Sequence, residues 1–241
     1  MATVQQIAAQ RDVWLAADPE DEALAEAVST ALLGCRRAVK QLEEGLRALG
    51  YPVQTFLRPS PAALGPKLAE LEARTGVAIP RVVREFWRVV GGVSLVDLEH
   101  YRHDAFWSER GITGPRGFCD GFHVDACDAG WLAYTLEDYE NYAEEDDLPS
   151  FRYSLSPDGY HKDDISGGPP YAVGRNSVWR PTWENFSWPG YQRPQTAAPD
   201  PTDFLSYVRT ALLECAGFPG LLGHPGFEPL RLSLVQGLEA F

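Results

Sequence analysis

The chain has 241 residues, 44% hydrophobic and 12% aromatic, with a formal net charge of −13 and a pI near 4.8. That composition excludes a chain disordered throughout, and the charge argues against nucleic acid and anionic membrane surfaces as ligands, since both call for basic patches. It favours a basic protein partner met by electrostatic steering, with acidity for solubility alone as the equal alternative.

Residues 3–17 read as a helix with loosely periodic apolar positions, and Asp18-Pro19-Glu20-Asp21 ends it and starts another. From Asp21 to Leu49 the residues Leu24, Val28, Leu32, Cys35, Val39, Leu42 and Leu46 recur at three- and four-residue steps, which predicts a long helix ended by Gly50-Tyr51-Pro52. Residues 1–50 are therefore expected to form a helical hairpin extension. A helix over Leu64–Arg74 ends on Gly76, Pro80 opens the next, and Val82, Val83, Phe86, Trp87, Val89 and Val90 share its apolar face. The Gly91-Gly92 turn leads into an expected strand at Val93–Asp97.

Residues 106–128 are turn-rich, with short aromatic runs that suit strands and bends, and 128–136 suits a short strand or turn. Phe151–Leu155 and Tyr171–Val173 read as strands, and 174–201 as a long loop. A helix is expected from Thr202, with Phe204, Leu205, Val208, Leu212 and Leu213 inward. The segment 229–241 fits a helix better than a strand. With 22 Gly and 19 Pro, turns are frequent enough for an α+β fold rather than a helical bundle.

The run Leu71-Glu72 … Gly76 … Ile79-Pro80 … Phe86 … Gly91-Gly92 resembles the signature of the SUKH superfamily. Segments 156–171, 204–220 and 237–241 resemble an uncharacterised bacterial branch of it, so the resemblance covers about Leu49 to the end. It implies helices packed on a mostly antiparallel sheet over 51–241, behind the N-terminal extension. It also implies a protein-binding role, since members include immunity proteins that bind and block toxins, and it brings no catalytic residues.

The acidic stretch Glu137, Asp138, Glu140, Glu144, Glu145, Asp146 and Asp147 contains no Lys or Arg and is interleaved with Tyr134, Tyr139 and Tyr142. Tyrosine anchors inside an acidic rim suit a basic protein such as a toxin domain; a solvated face looks the same. Tyr160, His161, Lys162 and Asp164, before a Gly-rich turn, could bind a small ligand or act as acid and base. Turn-capping is the structural alternative.

Cys119, His123 and Cys127, with His100 or His103 recruited, have zinc-like ligand types but no Cys-x2-Cys knuckle, so core or loop thiols are expected. Gly111, Gly114 and Gly117 lack the strand–helix setting of a dinucleotide fingerprint. The aromatic loop 179–188 suits either stacking on a sugar or peptide or covering the sheet.

No apolar run is long enough to span a membrane, the N-terminus lacks a signal-peptide pattern, and the four cysteines have no disulfide framework spacing. The expectation is a cytoplasmic, non-enzymatic binding module that needs no metal or cofactor. Homo-oligomerisation through the N-terminal helices is open to it. The alternatives are an enzyme or small-ligand binder using the His161 cluster, and a regulatory scaffold.

Overall fold

The computed structural model describes residues 22–53, 55–61, 64–79, 81–97, 100, 102–114, 119, 121–144, 153–154, 172–173 and 204–241. In chain order these form α1 (Glu22–Ala48), β1 (Leu57–Arg58), α2 (Leu64–Thr75), α3 (Arg81–Val89), β2 (Gly92–Ser94), α4 (Arg102–Ser108), β3 (His123–Val124), α5 (Ala129–Glu144), β4 (Tyr153–Ser154), β5 (Ala172–Val173), α6 (Phe204–Arg209) and α7 (Glu228–Val235). A π-helical turn, Thr210–Glu214, continues α6, and a 3-10 turn, Pro219–Leu221, precedes α7.

The three- and four-residue steps of α1 place Val28, Leu32, Cys35, Val39, Leu42 and Leu46 in the core, each at most 3% exposed. The segment assigned to the extension thus lays its apolar stripe in the same hydrophobic cluster as Phe86, Trp107 and Phe218. Helix α3 crosses α1, and polar groups fix the crossing at its edges. Arg36 Nη1 donates to the Val89 carbonyl at 3.1 Å, and Ser29 Oγ donates to Glu85 at 3.0 Å. Helix α7 packs on α1 at Gly45, where a Cβ would lie 2.9 Å from Leu234 Cδ2.

Strands β1, β2 and β3 form an antiparallel sheet with β2 central, registered by Leu57 opposite Val93 and Val93 opposite Val124. Strands β4 and β5 form a second antiparallel pair, Tyr153 opposite Val173. Every strand pairing among the described residues is antiparallel, so the α+β expectation holds at this level. Gly91 makes the turn into β2 possible: its φ is +89°, and a Cβ there would sit 2.1 Å from the Arg58 carbonyl oxygen.

Two sequence expectations change. Residues 129–136 belong to helix α5, not a strand or turn, and Asp128 caps it: its Oδ1 accepts the Trp131 amide at 3.0 Å. The turn-rich stretch expected from Phe106 begins inside α4, where His103, Phe106 and Trp107, at helical spacing, are all buried. Phe106 and Trp107 join an aromatic group with Tyr51, Phe218 and Phe227, in which Trp107 lies 4.8 Å from Phe218 and Tyr51 5.0 Å from Phe106, both T-shaped. The Tyr51 hydroxyl donates to Leu95 O at 2.5 Å. Among the described residues, the Trp107 indole N–H finds no acceptor.

Candidate functional site

Helix α5 carries the described part of the acidic stretch, Glu137, Asp138, Glu140 and Glu144. Its inner side begins with Trp131, 5% exposed, whose ring meets Trp87 of α3 at 4.8 Å. Thr135 is buried one turn on, and Leu132, Leu136, Tyr139 and Tyr142 pack half-buried against the core. Helical spacing therefore turns Glu137, Glu140 and Glu144 outward, where they are exposed, with Tyr134 beside them at 49% exposure. Asp138 is half-buried, and Arg74 of α2 pairs with Glu140. Burial first, then the negative charge of Asp138 and Asp125, raises the Tyr134 phenol above the ordinary tyrosine range.

The charge is arranged against the helix. A helix C-terminus carries partial negative charge and favours cations, yet α5 has no Lys or Arg and puts its carboxylates in its C-terminal half. Tyr139 and Tyr142 serve chiefly as inward packing groups, so Tyr134 is the tyrosine the surface presents. Glu145, Asp146 and Asp147 lie outside the described residues, as do Tyr160, His161, Lys162 and Asp164 and the aromatic loop 179–188.

Cys119, His123 and Cys127 do not converge. Among the described residues, the one grouping of three potential ligands within 4.8 Å is His103, Asp104 and Cys119. The Cys119 thiol donates to Asp104 Oδ1 at 2.8 Å, and His103 Nε2 lies 3.7 Å from the same oxygen. His103 and Cys119 are buried, while the Asp104 side chain is 57% exposed. Cys127 sits apart in the core, where burial pushes its thiol up to about 12, with the Asp128 charge adding to the effect. Sequence reading named His103 only as a possible recruit and passed over Asp104, because the fifteen-residue gap to Cys119 matches no ligand-spacing pattern.

His123 instead bridges two strands. Its Nδ1 lies 2.9 Å from Ser94 Oγ, its cross-strand neighbour on β2, and its Nε2 lies 2.9 Å from Asp125 Oδ1. A hydroxyl–imidazole–carboxylate chain resembles a hydrolytic triad, but its burial runs the wrong way. Ser94 is 2% exposed and bonds the Val96 carbonyl, whereas Asp125 is the end that reaches solvent. A nucleophile must be the accessible end, so this chain acts as a buried tie between β2 and β3.

A groove of about 550 Å³ runs between α1 and α7, lined by Gln41, Glu44, Leu49, Leu230, Leu234 and Leu238 among others. No helix among the described residues is long and apolar enough to cross a membrane. Compared with models of known families, with curated proteins and with solved structures, the chain finds no match.

Proposed function

We propose that the chain is a SUKH-like, non-catalytic binding module of the cytoplasm that captures a basic protein, a toxin domain in the immunity-protein case, on the outer face of α5. The single observation that carries this reading is the placement of Glu137, Glu140 and Glu144 on one exposed face, with Tyr134 beside them and no cation on the helix. The SUKH-like part rests on the helix–Gly76–Pro80–helix–Gly91-Gly92 run, of which α2, α3 and β2 form the described pieces.

The mechanism is occlusion. Carboxylates steer a cationic surface onto the helix, an exposed aromatic ring gives it an anchor, and a domain seated there blocks whatever that surface does. Glu144, in the last turn of α5, works against the helix dipole by about 0.3–1 kcal/mol at an exposed site, a loss that a cationic partner seated there would offset.

The experiment is capture from native lysate by the wild-type chain and by a Glu137→Lys/Glu140→Lys/Glu144→Lys variant, at low and high salt. A basic protein held by the wild type, released by salt and missed by the variant supports the reading. Equal capture by both chains removes α5 as the binding face.

A further inference from the structure

We propose that His103, Asp104 and Cys119 hold one borderline-soft divalent cation of the zinc type. The three groups are a thiol, an imidazole and a carboxylate, a donor set that suits zinc and its neighbours rather than magnesium or calcium, which prefer oxygen alone. Their ligand atoms all lie within 4.8 Å of one another, with Sγ to Oδ1 at 2.8 Å and Nε2 to Oδ1 at 3.7 Å. Donors around a tetrahedral zinc stand roughly 3.3–3.6 Å apart, given metal–ligand lengths of about 2.0–2.3 Å. A shift of well under 1 Å at the exposed Asp104 side chain brings its oxygen to that spacing from both Sγ and Nε2, which themselves lie within 4.8 Å of each other.

The convergence is built by tertiary structure. His103 and Asp104 are consecutive on α4, positions that helical geometry turns to different faces, yet the Asp104 carboxylate reaches the His103 ring. Cys119 arrives from the connection between α4 and β3, so ligands separated by fifteen residues meet at one point. Two are buried and the third is exposed, which places the cation at the rim, entering past Asp104.

Binding changes two protons. The Cys119 thiol, now donating to Asp104, gives its proton to solvent and coordinates as thiolate. His103 Nδ1 accepts the Asp97 amide at 3.3 Å, so in the neutral ring the proton sits on Nε2; coordination through Nε2 moves it to Nδ1 and gives up that long bond. One lost hydrogen bond lowers affinity by roughly tenfold, which three-donor coordination exceeds. Among the described residues three donors converge, the number an open site has, with water or an incoming ligand in its fourth tetrahedral position. This assignment is independent of the role proposed for α5.

The test is titration of the metal-stripped full-length protein with cobalt(II) chloride, followed by absorption. The expected result is saturation at one cobalt per chain, with a thiolate-to-cobalt charge-transfer band and the strong visible bands of tetrahedral cobalt, all bleached by zinc chloride. Cys119→Ser abolishes the charge-transfer band. Asp104→Asn, at an exposed side chain that leaves the fold intact, weakens cobalt binding by at least about tenfold. A wild-type protein with no charge-transfer band, or Asp104→Asn binding cobalt as tightly as the wild type, overturns the assignment.

Discussion

Gly91 is held in the left-handed region at φ +89° with the Arg58 carbonyl oxygen 2.1 Å from where a Cβ would stand. Gly91→Ala therefore strains the backbone and forces β1 away from β2, and should cost at least ~2 kcal/mol in urea unfolding. Wild-type stability in that variant would show that the β1–β2 turn relaxes freely. Tyr153 acts at the same scale by hydrogen bonding. Its buried hydroxyl lies 2.6 Å from Val77 O and 2.6 Å from Thr75 Oγ1, tying β4 to the link after α2. Tyr153→Phe leaves the Val77 carbonyl short of a donor in the core, and a loss of about 1–3 kcal/mol is expected in the same measurement.

Titration also belongs here. Burial lowers the pKa of His224, whose Nδ1 accepts the Gly226 amide at 3.1 Å. The folded state then binds fewer protons than the unfolded chain below the ordinary histidine value of 6.5, so stability falls as pH drops through that range. Asp97 and Glu228 add a second stage. Burial works to raise each, but Arg102 with the amides of His100 and Arg102 outweighs it for Asp97, and Arg231 with the Gly223 amide for Glu228. Both are lowered, so their contribution is present above the ordinary carboxylate range and is lost as pH falls below it. Urea midpoints from neutral pH to about pH 3 should decline in these two stages, and His224→Gln should remove the first. A first stage that survives His224→Gln assigns it to another group.

Among elements, α5 combines opposed demands. Glu144 lies in its last turn, against the helix dipole, so Glu144→Lys should raise stability by about 0.3–1 kcal/mol while weakening capture of a basic partner. A variant both more stable and fully competent in capture would detach the acidic turn from binding. The same helix shows where sequence reading stopped. Helices α1, α2 and α3 were legible because aliphatic residues repeat at helical spacing between clear stop signals, and α7 because the same spacing outweighed alternation. The inner face of α5 mixes Trp131, Leu132, Thr135, Leu136, Tyr139 and Tyr142, half of them polar-tipped residues that weaken the apolar period, and its carboxylates sit at the end where cations usually mark a helix stop. Helix α4 escaped because seven residues are too few for a periodic pattern to stand out. Of the proposed binding face, the residue types were readable in sequence; that Tyr139 and Tyr142 turn inward while Tyr134 stays out was not. The His103–Asp104–Cys119 cluster was legible only as separate ligand types.

At the scale of the molecule, α1 is part of the core. Eight of its residues, Val28, Ala31, Leu32, Cys35, Ala38, Val39, Leu42 and Leu46, are at most 6% exposed against α3, α7 and the turn after α6. A chain shortened to begin at Tyr51 would expose the faces these residues cover, and should lose its cooperative thermal transition by circular dichroism. A cooperative melt in the shortened chain would establish 51–241 as an independent unit. Composition, period and punctuation alone determined the α+β character, most helices and the acidity, because each is a local property: hydrophobic spacing follows the geometry of one element, and charge adds without regard to folding. Only tertiary structure decided that α1 lies in the core, that Ser94–His123–Asp125 is turned so its hydroxyl is buried, and that Cys119 meets His103 and Asp104 rather than His123 and Cys127. Those outcomes depend on which faces of distant segments share one apolar interior, and no local pattern encodes that distance.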